Sequence, residues 1–200
     1  MQPSTPFEPV LKEFAGSLPP AFRNQFLQAG PVKLEGVMHR VWHKPALHPM
    51  FWIMGKFGVL IPKTGAEVPT TLIIEPTPKG QLWRRTLDFD KPVEFNSLNT
   101  FEPREQRVVE WIGPGQLVGM VWEVAFAPPR TLSLVTIGWV IRFGKRNLPV
   151  PGWLWPWTLG RADTSQIVDE RHEDIIHIDL VIHHTLFGEM FGYSGTFQVK

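Results

Sequence analysis

The chain contains no cysteine. Disulfides, thiolate metal ligands and a thiol nucleophile are therefore excluded, and the composition fits a reducing compartment. Neither sign of charge dominates, because twenty Lys and Arg residues face nineteen Asp and Glu residues, and the basic residues are dispersed. This pattern does not indicate a nucleic-acid surface. The first ten residues, MQPSTPFEPV, lack the basic and apolar regions of a signal peptide, so a cytoplasmic location is expected.

The chain also lacks a long uninterrupted apolar run. The most apolar stretch, PALHPMFWIMGKFGVLIP at residues 45–62, is broken by proline, glycine and lysine. Because a spanning helix needs about twenty mainly apolar residues, we predict no transmembrane segment. The segment either caps a core or contacts a membrane surface, and the capping alternative is preferred because apolar segments are usually buried.

Familiar catalytic signatures are missing as well, including the phosphate loop, the G-x-S-x-G elbow and the H-E-x-x-H zinc motif. His177, Asp179 and His183 are metal-ligand types on one face of a predicted strand. The two histidines would lie roughly 20 Å apart along that strand, too far for one ion. Neither a metal site nor a cofactor is expected.

What the chain does have is turn residues and large rings. Seventeen glycines and twenty prolines separate short β-like runs, and nine tryptophans and fourteen phenylalanines accompany a single tyrosine. Large rings suit sheet surfaces, and the Pro/Gly clusters are turn signals. Helical spacing occurs only in FEPVLKEFAG and PPAFRNQFLQAG near the start. We predict strands at residues 32–44, 70–75, 81–90, 93–101, 107–112, 116–127, 131–143, 164–172, 174–184 and 189–199.

These elements predict a mainly β protein with one domain over residues 1–200. Residues 1–30 form one or two short helices that pack on a sheet built by residues 31–200. No long amphipathic helix separates the strands, which favours an antiparallel meander. About ten strands tend to curl or close, so we expect a curved sheet in the form of a half-barrel or barrel.

The alternation of side chains along 174–184 and 189–199 predicts a specific hairpin. With Gly188 supplying a positive φ in a four-residue loop, Ile182 lies opposite Phe191, Leu180 opposite Tyr193 and His184 opposite Glu189. Phe197 continues the apolar row. The His184–Glu189 pair either ties off the hairpin or poises His184 as a general base, and the structural alternative is preferred.

Arg85 is a charged residue in the predicted apolar row of a second strand, because alternation places it on the same face as Trp83. A guanidinium among rings requires a partner, and Glu110, Glu123, Asp169 and Glu189 are the alternatives. It either forms a buried ion pair or holds a ligand anion, and the ion pair is favoured. Glu123 also lies in an apolar row, so it too either forms a buried ion pair or contacts a ligand, but it is the weaker candidate for a ligand-binding residue. On 131–143, the odd positions form one predicted row of Val135, Ile137, Trp139, Ile141 and Phe143. The other row contains Leu132, Leu134 and Val140, and one of the two faces must line the interior.

Four motifs belong together: the closing HTLFGEMFGYSGTF, the WRR strand, the LPVPGW…LGR stretch at 148–161 and the LPPAFRNQF entry. They resemble one uncharacterised bacterial family, that of domain of unknown function 4166. The resemblance runs from about Leu18 to Lys200, with Thr185 where the family usually has proline. It carries onto Trp83, Arg85, Gly160 and Arg161. It implies a stand-alone domain or a partner of an NAD-binding oxidoreductase.

The leading functional prediction is a binding module whose curved sheet encloses a small apolar or amphipathic molecule. The predicted ligand-binding residues are Trp83, Arg85, Glu123, Trp139, Arg161, Phe191, Tyr193 and Phe197. One alternative is an enzyme that uses His184, Glu189 and Arg85 on a carbonyl or lipid-like substrate. The other is an interaction domain for a membrane surface or a protein, through residues 45–62 and the Trp-rich loop at 152–160.

Overall fold

A computed structural model describes residues 4–144 and 146–200 of the chain. Within these residues the protein is mainly β, as predicted, and its strands form one antiparallel sheet. The strands are β1 (Val32–His43), β2 (Gly65–Thr77), β3 (Gly80–Leu87), β4 (Val93–Glu102), β5 (Arg107–Ile112), β6 (Val118–Ala127), β7 (Thr131–Phe143), β8 (Arg146–Pro149), β9 (Arg161–Val168), β10 (Ile175–His184) and β11 (Gly188–Val199).

The sheet closes into a ten-stranded barrel. Consecutive strands from β1 to β7 pair as neighbours, β7 pairs with β9, and β9, β10 and β11 follow in order. The first and last strands then pair with each other from Leu34↔Val199 to His43↔Phe191. β8 stays outside the ring on the end of β7, where Val140 lies opposite Pro149. Of the two predicted forms, the closed barrel is the one present.

The strand boundaries agree with the prediction to within two residues except in four places. β8 was not predicted, β2 begins at Gly65 rather than residue 70, β3 ends at Leu87 rather than residue 90, and β9 begins at Arg161 and ends at Val168. Glycine is required at two positions, one with a positive φ and one where two backbones approach closely. Gly188 has a φ of 62° at the start of β11, and a Cβ on Gly36 would lie 2.0 Å from the carbonyl oxygen of Thr196.

Residues 5–27, here called the base plug, close one end of the barrel. They contain α1 (Glu8–Leu11), a 3-10 turn at Lys12–Phe14, α2 (Pro20–Phe22) and a π turn at Arg23–Leu27. Both predicted N-terminal helices are therefore confirmed. Phe7 and Phe26 are fully buried, and their ring centres lie 5.8 Å and 5.9 Å from that of Trp83. The plug thus packs on the inner face of the sheet.

Two short helices, α3 (His48–Lys56) and α4 (Trp155–Thr158), lie at the other end of the barrel, here called the mouth. The expectation that helices occur only at the start of the chain is wrong for both. Each has proline in its first turn, where the missing N–H costs nothing and the fixed φ suits a helix. In residues 4–144 and 146–200, no helix is long and apolar enough to span a membrane.

Stacked rings hold α3 to the barrel. Phe51 of α3 is fully buried, and its ring centre lies 4.8 Å from that of His43 and 5.7 Å from that of Phe191. The opposite side of the segment remains exposed at Trp52 and Phe57. Residues 45–62 therefore cap the core, in agreement with the preferred alternative, and still present rings to solvent.

Three register shifts change which side chains point inward. In β1, His39 is an extra residue opposite β11, between Met38 and Arg40. Between β10 and β11, Ile182 lies opposite Phe191 but His183 lies opposite Glu189, so Met190 is an extra residue in β11. Between β6 and β7, Ile137 is the extra residue. A β-bulge breaks strict alternation. The predicted row of Val135, Ile137 and Trp139 is therefore wrong, and Leu134 and Trp139 point into the barrel on either side of the bulge.

If the base plug seals the barrel, truncating a ring inside it will destabilise the whole molecule. We expect Phe26→Ala to lower the free energy of unfolding by about 3–5 kcal/mol, measured by chemical denaturation. Phe143→Ala is the control, because Phe143 is exposed, and should change stability by less than about 0.5 kcal/mol. Equal stability of the two variants would contradict the packing of the plug on the barrel.

Candidate functional site

The barrel encloses a cavity of about 410 Å³. Near the mouth its wall is mainly apolar, with Met50 and Met54 of α3, Leu159 after α4, and Met190 and Phe191 of β11, while Thr158 and His184 are polar residues there. Toward the base the wall includes Leu180 and Ile178 of β10, and Ile178 lies opposite the polar Gln166 of β9. The interior thus offers a mainly apolar entrance and a mixed floor.

Most of the predicted site residues lie around this cavity. Those that line it are Trp83, Arg85, Trp139, His184, Phe191, Tyr193 and Phe197. They come from strands β3, β7, β10 and β11, which closure of the sheet brings around one space. Their role in ligand binding stays a prediction.

Three predicted site residues lie elsewhere, on the outer surface of the barrel. Glu123 is exposed because its neighbour Trp122 takes the inward position on β6. Arg161 precedes the inward Ala162 on β9, and its guanidinium is 2.9 Å from the carboxylate of Asp163. Glu189 is exposed opposite His183, so the predicted His184–Glu189 pair is wrong. The Met190 bulge, which has no signal in the alternation pattern, is the reason.

Arg85 and Glu110 form a buried ion pair in the cavity wall. The Nη2 of Arg85 lies 3.3 Å from Oε1 of Glu110, and the two residues are only 8% and 7% exposed. Arg85 also donates to the hydroxyl of Ser97 at 3.0 Å, and the indole N–H of Trp122 donates to Glu110 at 3.0 Å. Of the four predicted partners, Glu110 is the one that contacts Arg85. The charges of both groups are therefore compensated inside the barrel.

Aromatic rings flank the same guanidinium. The Arg85 carbon Cζ lies 5.2 Å from the centre of the Trp83 ring and 5.3 Å from that of Phe95. Such cation–π contacts stabilise a guanidinium on apolar walls. The rings and Glu110 together explain how an arginine is accommodated in this row.

Tyr193 lies in the wall within electrostatic reach of this pair. Burial of the phenol raises the pKa of Tyr193 above its ordinary value, the Arg85 guanidinium opposes that rise, and the carboxylates of Glu110 and Asp179 add to it. The neutral phenol is therefore the form that the fold favours.

His184 holds the mouth together through backbone contacts. Its Nε2 lies 2.9 Å from the carbonyl oxygen of Trp157, and its Nδ1 accepts the backbone N–H of Leu186 at 3.1 Å. These contacts assign the proton to Nε2. Thr185 also donates to the carbonyl oxygen of Pro156 at 2.9 Å. The histidine ties the β10–β11 turn to α4 through these backbone contacts, a structural role different from the predicted pair with Glu189.

Several polar side chains that were not predicted to line the cavity also do so, among them Gln25, Glu110 and Gln166. Gln25 lies three residues after Phe22 and one before Phe26, on the apolar face of its helical segment. Gln166 alternates with Ala162, Thr164 and Val168 on β9. The signal available in both cases was a polar residue at an inward position of an otherwise buried row.

The outer histidines form local pairs with carboxylates. Nε2 of His177 lies 3.3 Å from Asp169, and Nε2 of His183 lies 3.9 Å from Asp163. Over the part of the chain that the structure describes, no group of three or more such side chains is arranged to hold a metal ion.

These features define a closed antiparallel barrel with an internal cavity and a plugged base. The family model described as "Domain of unknown function (DUF4166)" matches residues 18–197, so the chain belongs to this family, as the sequence motifs indicated. The chain is also similar to the uncharacterized protein YndH of Bacillus subtilis (strain 168). The two are 27% identical over 150 residues, which cover 71% of this chain and 70% of YndH.

Removing one member of the buried pair will leave an uncompensated charge. We expect Arg85→Met to cost about 3–5 kcal/mol of unfolding free energy. Arg84→Met is the matched control, because Arg84 pairs with Glu75 at 3.0 Å on the exposed face, and should cost less than about 1 kcal/mol. Urea denaturation measures both. Similar losses for the two variants would contradict the buried position of Arg85.

Tyr193 can be titrated without interference because it is the single tyrosine of the chain. Its raised pKa predicts that the native protein forms tyrosinate at a higher pH than the unfolded chain, in which the phenol has a pKa of about 10. Since the folded pKa is the higher one, this contribution to stability is complete below about pH 10 and is lost as the pH rises further. Ultraviolet absorbance of tyrosinate, in buffer and in guanidinium chloride, measures both states. Coincident titration curves would be inconsistent with a buried phenol.

Proposed function

We propose that this protein binds a small apolar or amphipathic molecule inside the barrel. The observation that carries the proposal is the cavity of about 410 Å³, whose wall is mainly apolar and includes a few polar groups. Pockets for small molecules measure about 300–1,000 Å³ and combine apolar walls with a few polar groups. The interior has both properties.

The exposure of the inward residues supports the same proposal. Ile178, Leu180 and Tyr193 point into the barrel at mid-strand, yet each is only partly buried. Because protein interiors are normally close-packed, side chains at the centre of a filled barrel would lose this exposure. Their remaining accessible surface faces the cavity, where an apolar ligand would cover it.

The contacts of His184 and Glu189 favour binding over catalysis. Both ring nitrogens of His184 are engaged by backbone groups, and Glu189 is on the outer surface. The enzyme alternative required these two residues to converge with Arg85 at one cavity. A binding module needs no such convergence, so it is the function that we propose.

Filling the cavity will test this proposal. We expect Ile178→Trp to weaken the binding of the fluorescent apolar probe N-phenyl-1-naphthylamine by at least about tenfold, because the indole would occupy the probe's space. A larger side chain in a filled core lowers the free energy of unfolding by about 1–3 kcal/mol, and the loss should be smaller here because the indole would enter an existing cavity. Ile167→Trp is the matched control on the exposed face of neighbouring β9. Unchanged probe affinity in a folded Ile178→Trp protein would refute binding in the interior.

The mouth supports a second proposal, contact with a lipid surface. In the described residues, the exposed large apolar side chains other than Ile73 and Ile167 all lie around the mouth. They are Trp52, Ile53, Phe57, Leu117, Ile141, Phe143, Leu148, Trp153, Trp157, Leu186 and Phe187. Lys56 places its Nζ 3.5 Å from the centre of the Trp52 ring. Tryptophan beside lysine is typical of groups at a membrane interface.

Vesicle flotation will test this second proposal. We expect the double variant Trp52→Gln and Trp153→Gln to lower the vesicle-bound fraction by about tenfold, because two exposed rings would no longer enter the interface. A matched control replaces the exposed Ile73 and Ile167 of the barrel side with Gln. Equal binding of the two double variants would rule out the mouth as the contact surface.

A further inference from the structure

Several polar side chains of the cavity lie near its base. Trp83 is the fourth residue of β3, which begins at the base, and its ring packs on the plug. Gln25 belongs to the plug itself, and Gln166 lies opposite Leu132 at the base end of β7. Arg85 lies two residues beyond Trp83 on β3, toward the mouth, and pairs there with Glu110. A ligand that reaches the floor therefore meets hydrogen-bonding groups there.

Several of these groups lack a partner in the part of the chain that is described. They are both amide atoms of Gln25, the indole nitrogen of Trp83 and the amide oxygen of Gln166. The three residues are 0%, 6% and 3% exposed. Buried polar atoms are nearly always hydrogen-bonded, because leaving them unpaired is unfavourable. Since all three residues line the cavity, a bound molecule is a suitable source of the missing bonds.

The unpaired atoms include donors and acceptors. Gln25 offers an NH2 group and Trp83 an N–H, while the amide oxygens of Gln25 and Gln166 accept. The complementary head group carries at least one donor and one acceptor.

The floor carries no uncompensated charge. The guanidinium of Arg85 is neutralised by Glu110 at 3.3 Å, and the remaining cavity groups near the base are neutral amides, hydroxyls and rings. An anionic head group placed beside this pair would meet the Glu110 carboxylate as well as Arg85 and would lose its hydration. An uncharged head group avoids both penalties.

We infer that the ligand is an amphiphile with an uncharged head group, such as a hydroxyl or a primary amide, that lies on Gln25, Trp83 and Gln166. Its apolar chain runs toward the mouth, past Ile178 and Met190. This inference rests on the proposed function and names the chemical class that the cavity selects.

Head-group selectivity is measured by displacing N-phenyl-1-naphthylamine from the wild-type protein with decanol, decanamide and decanoate at a pH where decanoate is ionised. The three competitors share similar chains and differ at one end. We expect decanol and decanamide to displace the probe at concentrations at least about tenfold lower than decanoate. Probe binding with equal displacement by all three would overturn the head-group inference and leave interior binding intact. A wild-type protein that does not bind the probe would overturn the proposed function itself.

Two variants locate the head group. Gln25→Leu and Gln166→Leu remove amide atoms with little change in size, so each should weaken decanamide binding by about three- to tenfold. Gln28→Leu is the control, because Gln28 is exposed just outside the plug. Unchanged decanamide affinity in both folded variants would overturn the placement of the head group.

A third variant tests the role of charge. Glu110→Gln keeps an acceptor for Trp122 but leaves Arg85 without its counter-charge. A carboxylate ligand can then supply that charge, so the affinity for decanoate should rise by at least about tenfold. The melting temperature with and without decanoate reports the same effect. A folded Glu110→Gln protein that still discriminates against decanoate would contradict the charge argument.

Discussion

Pairing between the first and last strands of the sheet is the constraint on which the rest of the structure depends. It joins β1 to β11 along their length and converts a ten-stranded meander into a ring without free edges. The interior of a barrel widens with strand number, and eight strands leave room for little more than the inward side chains. A ten-stranded barrel is wider, so its inward aromatic and methionine side chains do not fill the interior, and the cavity remains.

Closure also decides what the polar residues of the interior can do. Arg85 and Glu110 lie on β3 and β5, with Ser97 of β4 between them, so the sheet curvature brings opposite charges together on one wall. Compensation within the wall lets the barrel hold a guanidinium without a bound anion. The base plug adds Gln25 from outside the sheet and at the same time closes the lower end. One end is thereby sealed and partly polar, and the other is apolar and rimmed by exposed rings.

Much of this architecture follows from local patterns in the chain. Alternation of apolar residues predicted most strands and the pairs Ile182 with Phe191 and Leu180 with Tyr193, because one face of each strand must be buried. It also placed Trp83, Arg85, Tyr193 and Phe197 around a common interior. The correct partner of Arg85 was among the predicted ones, but choosing it required the neighbour relations of strands that are distant in sequence.

The failures have specific physical causes. Bulges at Ile137 and Met190 shift the alternation by one residue. Trp139 therefore does not share a face with Val135, and Glu189 does not lie opposite His184. Neither bulge has a glycine or proline at the extra residue to mark it. The helix α3 was missed because its apolar residues do not form one stripe: Phe51 is buried by tertiary stacking while Trp52 and Ile53 stay exposed. Gln25 and Gln166 were not predicted, because an uncharged amide in an apolar row conflicts less with burial than a charged group such as that of Arg85.

The orientation of a ligand in the barrel is the most direct test of the account. Nuclear Overhauser contacts between decanol and protein protons, recorded on protein with labelled methyl groups, report it. If the hydroxyl lies at the base, we expect contacts from the terminal methyl of decanol to Met190 and Met54 at the mouth, and from the protons beside its hydroxyl to the Trp83 indole. Contacts to the outward methyl groups of Ile73 and Ile167, with none to Trp83, would contradict it.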